Sequence, residues 1–132
     1  MGMRAQSFAR YCALKHNKII GELENRLIHN NYLTQKNVEY YYGEHQGEID
    51  LYALDTKHNN ILLFEVKSRD SRKNRIKAHI QLERGSLYLS YILPTYNKVK
   101  KYYVYTDKQM KNGYMISSYT PANLASTPLK LL

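Results

Sequence analysis

The spacing of apolar residues predicts a helical start to the chain. Apolar side chains between residues 20 and 28 recur every three or four positions, which gives a helix one apolar face. We expect the first 31 residues to be helical, either as one helix or as two pieces that meet near Asn17-Lys18. Asn30-Asn31 is a typical stop signal. The apolar face consists of Ile20, Leu23, Leu27 and Ile28.

Beyond residue 32, short apolar runs alternate with polar turns, which is typical of strands. The run Ile61–Lys67 is nearly all apolar, and we expect it to form a central strand covered on both faces. A helix over Ile76–Ile92, ended by Pro94, follows a basic segment. This order predicts an α/β (α+β) fold with a mixed central sheet of about five strands flanked by helices. The other predicted strands cover residues 38–42, 49–54, 99–105 and 114–119.

The chain is long enough for one domain with a real core. It has 132 residues, of which 43% are hydrophobic. No repeat or low-complexity linker divides it, and its three prolines all fall in the C-terminal third. We therefore expect a single domain over residues 1–120 and a C-terminal tail over residues 121–132.

The balance of charges narrows the class of partner. Lys and Arg number 20 against 11 Asp and Glu, which gives a net charge of +9. This excess indicates a polyanionic partner, nucleic acid first and an anionic membrane surface second. No apolar run reaches the roughly 18 residues of a membrane span, and no apolar segment typical of a signal peptide follows the first residues. The single cysteine, Cys12, excludes an internal disulfide. We expect a cytoplasmic protein.

Charged residues interrupt the predicted central strand. Glu65 and Lys67 lie two apart and therefore share a face, and Asp50 lies in a similar apolar context on the preceding predicted strand. Two carboxylates on adjacent strands form the oxygen-rich pocket that Mg²⁺ or Mn²⁺ prefers. A lysine beside them can act on a water or stabilise negative charge on a phosphate. The alternative is a structural ion pair at a sheet edge.

These residues resemble a known family. Ile49-Asp50, followed by a hairpin and then Phe64-Glu65-Val66-Lys67, looks like the core of the PD-(D/E)XK nucleases. Over about residues 20–92 the chain is most similar to archaeal Holliday junction resolvases and to small bacterial proteins with a Gly-Glu-Ile-Asp motif. Glu48 stands where the superfamily's name has a proline. The resemblance implies a restriction-endonuclease-like fold and an endonuclease that depends on Mg²⁺ or Mn²⁺.

The resemblance also implies a further glutamate on the first helix. Two candidates compete: Glu22, in Gly21-Glu22, and Glu24, in Glu24-Asn25-Arg26-Leu27-Ile28. Helical phase favours Glu24, because it has apolar residues three and four positions away, whereas Glu22 has polar residues there. Glu24 would then join Asp50 and Glu65 as a metal ligand, and the alternative is that both are ordinary surface glutamates.

Two more polar residues extend the predicted site. Nucleases of this type often carry a glutamine on the helix after the Glu-x-Lys strand, and Gln81 fits that position, where it would orient water or hold a phosphate. Glu48 shares a face with Asp50 by strand alternation and is either an auxiliary acidic group or a solvated residue near a turn.

A basic segment follows the predicted catalytic strand. Six cations lie between residues 67 and 77, and such a loop would bind the phosphate backbone without reading sequence. We expect it to dock nucleic acid, although a charge run can also be a solvated face. Besides Lys67, its cations are Arg69, Arg72, Lys73, Arg75 and Lys77.

The favoured hypothesis is a metal-dependent DNA endonuclease. Asp50 and Glu65 would hold Mg²⁺ or Mn²⁺, and Lys67 would act on the attacking water or the transition state. The resolvase resemblance suggests a homodimer that cuts branched DNA, notably four-way junctions, in recombination and repair. Two rivals stay open. One is a nucleic-acid-binding module on the same fold without turnover, and the other is a restriction or homing nuclease or an enzyme that trims RNA.

Overall fold

Two helices and five strands follow one another in the described part of the chain. The structure, a computed structural model, describes residues 2–106 and 113–119 and, within the first helix, the side chains from Ser7 onward. The predicted tail at 121–132 lies outside the described residues. The elements are α1 (Gly2–His29), β1 (Leu33–Tyr42), β2 (His45–Asp55), β3 (Asn60–Val66), α2 (Arg72–Ile92), β4 (Lys98–Tyr105) and β5 (Met115–Ser118).

The strands form one mixed sheet in the order β1-β2-β3-β4-β5. β1, β2 and β3 are neighbours in an antiparallel meander, and β4 pairs antiparallel with β5. β3 and β4 run parallel, a pairing that requires a crossover, and α2 supplies it. The predicted α/β architecture, a mixed sheet of five strands flanked by helices, is confirmed.

The central position predicted for the most apolar run is confirmed. All seven residues of β3 are buried, because α1 covers one face of the sheet and α2 covers the other. The α1 side is filled by residues such as Leu23, Leu27 and Phe64. The α2 side is filled by residues such as Leu63 and Leu82. The strand that carries Glu65 is thus shielded from water on both faces.

Several boundaries differ from the sequence prediction, and β2 begins at His45 rather than at residue 49. α1 is one continuous helix without a break at Asn17, and it ends at His29, before Asn31 with a φ of 68°. α2 begins at Arg72 rather than at residue 76, because Ser71 caps it: the Ser71 Oγ accepts a hydrogen bond of 3.1 Å from the Asn74 N–H. β1 begins at Leu33, five residues earlier than predicted.

In the described residues, neither helix has a stretch that is long and apolar enough to cross a bilayer.

Candidate active site

The candidate site lies where β2 and β3 separate. Their antiparallel pairing runs from Asp55–Asn60 to Leu51–Phe64 and ends there. Beyond that point, the backbone N–H of Val66 donates a hydrogen bond of 2.8 Å to the Asp50 Oδ2. The carboxylate of Asp50 therefore takes the place of a backbone partner and lies in the opening between the two strands.

Asp50 and Glu65 form a buried pair of acidic groups across this opening. Asp50 is 7% exposed and Glu65 4%, and their carboxyl groups hydrogen bond to each other. Burial, followed by the charge of Asp50 and the hydrogen bond with it, raises the pKa of Glu65 well above its usual range, although Lys67 opposes this. Glu65 is therefore the protonated member of the pair.

Asp50 is the ionised member. Burial alone would raise the pKa of Asp50, but the combined hydrogen bonds from His16, Glu65 and the Val66 N–H outweigh burial and lower it. A carboxylate is costly to bury unless it is hydrogen bonded, and here one donor from α1 and two from β3 supply those bonds. The site thus keeps one fixed negative charge and one exchangeable proton.

His16 on α1 belongs to this site although the sequence reasoning missed it. Its Nε2 lies 3.3 Å from the Asp50 Oδ2. The hydrogen bond with Asp50 raises the pKa of His16, against the opposing effect of burial. A signal was present in the sequence, because His16 lies four residues before Ile20 and seven before Leu23, on the sheet-facing stripe of the helix.

Lys67 and Gln81 reach the acidic pair from the end of β3 and from α2. The Lys67 Nζ lies 3.6 Å from the Glu65 Oε1 and donates a hydrogen bond of 2.8 Å to the Gln81 Oε1. The Lys67 N–H donates to the Val104 carbonyl at 2.8 Å, which fixes the backbone just past β3. The structure thus brings together four of the predicted residues. With His16 they form the Asp50 cluster: His16, Asp50, Glu65, Lys67 and Gln81.

Glu24 makes its contacts with β1. Its Oε2 accepts a hydrogen bond of 3.3 Å from the Thr34 hydroxyl, and its Oε1 lies 3.2 Å from the Lys36 Nζ. Glu24 is half-buried, whereas Glu22 is exposed and lies 4.0 Å from Lys18, so helical phase predicted the difference in burial. The ligand role of Glu24 stays a prediction.

Glu48, the remaining acidic candidate, is exposed and lies opposite Glu39 of β1. Among the described residues, no group of three or more His, Cys, Asp or Glu side chains has an arrangement that could hold a metal ion. Any metal held at this site would therefore depend on the Asp50–Glu65 pair.

The acidic pair fits a hard divalent cation. Mg²⁺ is commonly bound by one or two carboxylates and keeps several waters and substrate oxygens, so it does not require a complete protein cage. Asp50 and Glu65 supply two carboxyl groups from neighbouring strands at one opening. Binding of the cation would release the Glu65 proton, because a metal-ligating carboxylate is deprotonated. The donor set thus suits Mg²⁺ or Mn²⁺.

Only part of the basic segment is a loop. Residues 72–77 belong to the first turns of α2, so the predicted docking loop is corrected to residues 67–71. Arg75 is held by Asp70 through two hydrogen bonds, of 2.8 Å from its Nε and 2.6 Å from its Nη2. The remaining predicted phosphate contacts are exposed: Arg69, Arg72, Lys73 and Lys77.

Comparison with known proteins places the chain in a family. Residues 3–79 match the DUF234 family, described as "Archaea bacterial proteins of unknown function". The matched part holds α1 from residue 3, the whole β1-β2-β3 meander and the start of α2, and so includes His16, Asp50, Glu65 and Lys67. A search of curated proteins finds no match to the chain. Because the match covers more than half of the chain, the protein belongs to the DUF234 family.

Proposed function

We propose that the protein is a metal-dependent endonuclease with a PD-(D/E)XK-type core. The observation that carries the proposal is the buried pair Asp50–Glu65, with the Lys67 ammonium 3.6 Å from the Glu65 Oε1, at the opening between β2 and β3. Two buried acidic groups that share a proton are costly for the fold. Such pairs with displaced pKa values are typical of functional sites.

The side chains of the cluster have separate roles in the proposed reaction. Asp50 and Glu65 hold the cation, which when bound supplies positive charge at the scissile phosphate. Lys67 stabilises the negative charge that develops on the phosphate or orients the attacking water. Gln81 holds the Lys67 ammonium in place through its 2.8 Å hydrogen bond. His16 holds the Asp50 carboxylate in place through its contact with the Oδ2.

Branched DNA is the proposed substrate, and a homodimer is the proposed assembly. The similarity of Ile49-Asp50 and Glu65-Val66-Lys67 to archaeal Holliday junction resolvases supports both, since paired nicks in a four-way junction require two sites. The net charge of +9 supports a nucleic acid partner.

Cleavage of labelled DNA with and without Mg²⁺ tests the function. We expect the wild type to cut a four-way junction in Mg²⁺ and to be inactive in EDTA. Asp50→Asn should reduce the rate at least about 100-fold, because it removes the fixed charge of the site. Asp55→Asn is the matched control at the C-terminal end of β2, where the carboxylate accepts bonds from His58. No cleavage by the wild type, or equal cleavage by Asp50→Asn, would exclude the assignment.

A second candidate is a nucleic-acid-binding module without turnover. It is favoured by the hydrogen bonds that Asp50 receives from the protein itself, through His16 and the Val66 N–H. The two candidates differ in metal binding. Titration of the protein with Mn²⁺, followed by electron paramagnetic resonance, should show binding that Asp50→Asn abolishes if the protein is a nuclease and no specific binding if it is a module.

A further inference from the structure

The helix α1 is much longer than the part of it that covers the sheet. It has 28 residues, which corresponds to about 42 Å at 1.5 Å per residue. Its buried residues begin at Ile19, and every described side chain from Ser7 to Lys18 is exposed or only half-buried. The described residues therefore leave the first half of α1 without a covering layer.

One side of this uncovered half carries aromatic rings and cations together. Phe8, Tyr11, Lys15 and Lys18 follow one another at spacings of three and four residues, so they share a face, which we call the α1 outer face. It points away from the stripe of Ile20, which packs on the sheet. Phe8 is 56% exposed and Tyr11 60%.

The charge of this half of the helix selects the kind of partner. Residues 2–21 contain no Asp or Glu, while Arg4, Arg10, Lys15 and Lys18 supply four positive charges, of which Lys18 lies 4.0 Å from Glu22 one turn further on. A second copy of the same face would be repelled, because like charges would be brought together. A polyanion is the complementary partner.

The mixture of rings and cations indicates which of two polyanionic partners, a lipid surface or a nucleic acid, fits the α1 outer face. Helices that lie on membranes segregate their apolar residues from their Lys and Arg, so that one face enters the lipid. On the α1 outer face, the cations Lys15 and Lys18 follow directly after the rings of Phe8 and Tyr11 on the same side of the helix, and Leu14 lies beside them. Single-stranded nucleic acids are bound by this mixture, since rings stack on bases while cations contact the phosphates.

We propose that the α1 outer face binds an unpaired strand of nucleic acid. Bases in a duplex are stacked on one another, so exposed rings on a helix reach them only in single strands, loops, flaps or junction openings. His16, which contacts Asp50, lies eight residues from Phe8, about 12 Å along the helix axis. Lys15 and Lys18 are therefore level with the Asp50 cluster along the helix axis, on the opposite side of α1. The inference rests on the proposed function only in treating that strand as part of the substrate.

Binding to oligonucleotides in EDTA tests this inference without any cleavage. The full chain is titrated into a labelled oligothymidylate of about 16 nucleotides, into an oligouridylate of the same length and into a duplex, with fluorescence anisotropy as the readout. We expect Phe8→Leu and Tyr11→Leu each to weaken single-strand binding about tenfold, with duplex binding changed less than about threefold. Leucine keeps an apolar side chain on a helix and removes only the ring.

The cations are tested through the dependence of binding on salt. If Lys15 and Lys18 contact phosphates, Lys15→Ala with Lys18→Ala should lower the slope of log affinity against log salt by about 1.4, at 0.7 for each single-strand contact. For the ring variants, Tyr41→Leu and Tyr91→Leu are the matched controls. Both tyrosines are exposed on other parts of the surface, so these two substitutions should leave binding unchanged. Circular dichroism verifies that all variants keep their helices.

The outcomes separate this inference from the proposed function. Single-strand binding that is lost in the Phe8 and Tyr11 variants, in a protein that cuts no DNA, supports the inference and rejects the nuclease. Mg²⁺-dependent cleavage with unchanged oligonucleotide binding in these variants rejects the inference alone. Binding to vesicles of phosphatidylcholine and phosphatidylserine that depends on Phe8 and Tyr11, without any effect on oligonucleotides, would assign the face to a lipid surface and overturn the inference.

Discussion

Two aspartates near the end of β3 show how similar carboxylates can have different roles. Asp50 shares a proton with Glu65 and accepts a bond from His16. Asp70 accepts two bonds from Arg75 and one of 3.0 Å from the Tyr103 hydroxyl. Both carboxylates have a lowered pKa, so charge alone does not distinguish them.

The partners explain the difference. The hydrogen bond from Arg75, supported by Tyr103, lowers the pKa of Asp70, and an arginine does not release its proton in a protein. Burial and Asp70 itself raise the pKa of Tyr103, so this partner also keeps its proton. The partners of Asp50 are an acid with a raised pKa and an imidazole, and both can exchange protons. Asp70 therefore ties a loop to β4, whereas Asp50 lies in a site that can change its charge.

The largest expected effect concerns cleavage. Glu65→Gln should reduce the single-turnover rate in Mg²⁺ by about 100-fold to 1000-fold, because an amide cannot become the second carboxylate of the site. Asp70→Asn should stay within about tenfold of the wild type, since it only loosens the loop that follows Lys67. Gel analysis of labelled junction DNA, below the melting temperature of each variant, measures both. Equal losses of rate in Glu65→Gln and Asp70→Asn would show that the two carboxylate sites do not differ in the proposed way.

For stability, the Asp70 variant should be the more damaging of the two. Asp70→Asn should lower the free energy of unfolding by about 2 kcal/mol, because Arg75 loses a charged partner in two short hydrogen bonds. Glu65→Gln should instead raise it near neutral pH, because the wild type must keep Glu65 protonated above its ordinary pKa, whereas the amide is uncharged at every pH and can still donate to Asp50. Urea unfolding in EDTA gives both values. A loss of stability in Glu65→Gln near neutral pH would mean that Glu65 is ionised in the folded protein.

The dependence of stability on pH sharpens the same contrast. A group whose pKa is raised on folding stabilises the protein fully below its unfolded pKa, and this contribution is lost as the pH rises through the folded value. Glu65 and His16 are both of this kind, so the metal-free wild type should lose stability as the pH rises. The loss due to His16 should begin near its ordinary pKa of 6.5, and the loss due to Glu65 should begin at lower pH. Each group contributes at most about 1.4 kcal/mol per pH unit.

The same titration has two controls. Glu65→Gln should flatten the loss at rising pH, and His16→Gln should remove the remaining part that lies near neutrality. Asp70, with a lowered pKa, contributes stability that is lost only as the pH falls through its folded value, so Asp70→Asn should lower stability at neutral and higher pH and change the slope against pH on the acid side alone. Urea unfolding at a series of pH values measures all three, and a wild type whose stability rises between neutral and alkaline pH would contradict the sign.

The sequence could predict the part of the fold that depends on local patterns. The apolar run of β3, the hairpin before it and strand alternation were sufficient to expect Asp50, Glu65 and Lys67 in one place. Gln81 followed from a resemblance, and the structure brings it to Lys67. These are contacts between neighbouring strands and the next helix, over 14 to 16 residues.

The remainder depends on packing between distant segments. His16 meets Asp50 across 34 residues, and Tyr103 meets Asp70 across 33. Neither spacing has a periodic signal, because it is set by how α1 lies on the sheet and how β4 follows the crossover. The pairing of Arg75 with Asp70 likewise depends on the cap at Ser71, which starts α2 four residues earlier than its apolar pattern indicates.

The smallest expected effect concerns two side-chain amides, one in the Asp50 cluster and one near Asp70. Gln81→Ala should lower the cleavage rate about fivefold, because the Lys67 ammonium loses its 2.8 Å partner but keeps its position beside Glu65. Asn74→Ala is the matched change near Asp70, where the amide donates a hydrogen bond of 2.9 Å to the Arg69 carbonyl. This substitution should leave the rate unchanged. If Gln81 only positions Lys67, Gln81→Glu should restore most of the rate, since a carboxylate oxygen accepts the same bond. A Gln81→Glu variant as slow as Gln81→Ala would instead mean that the amide contacts the substrate directly.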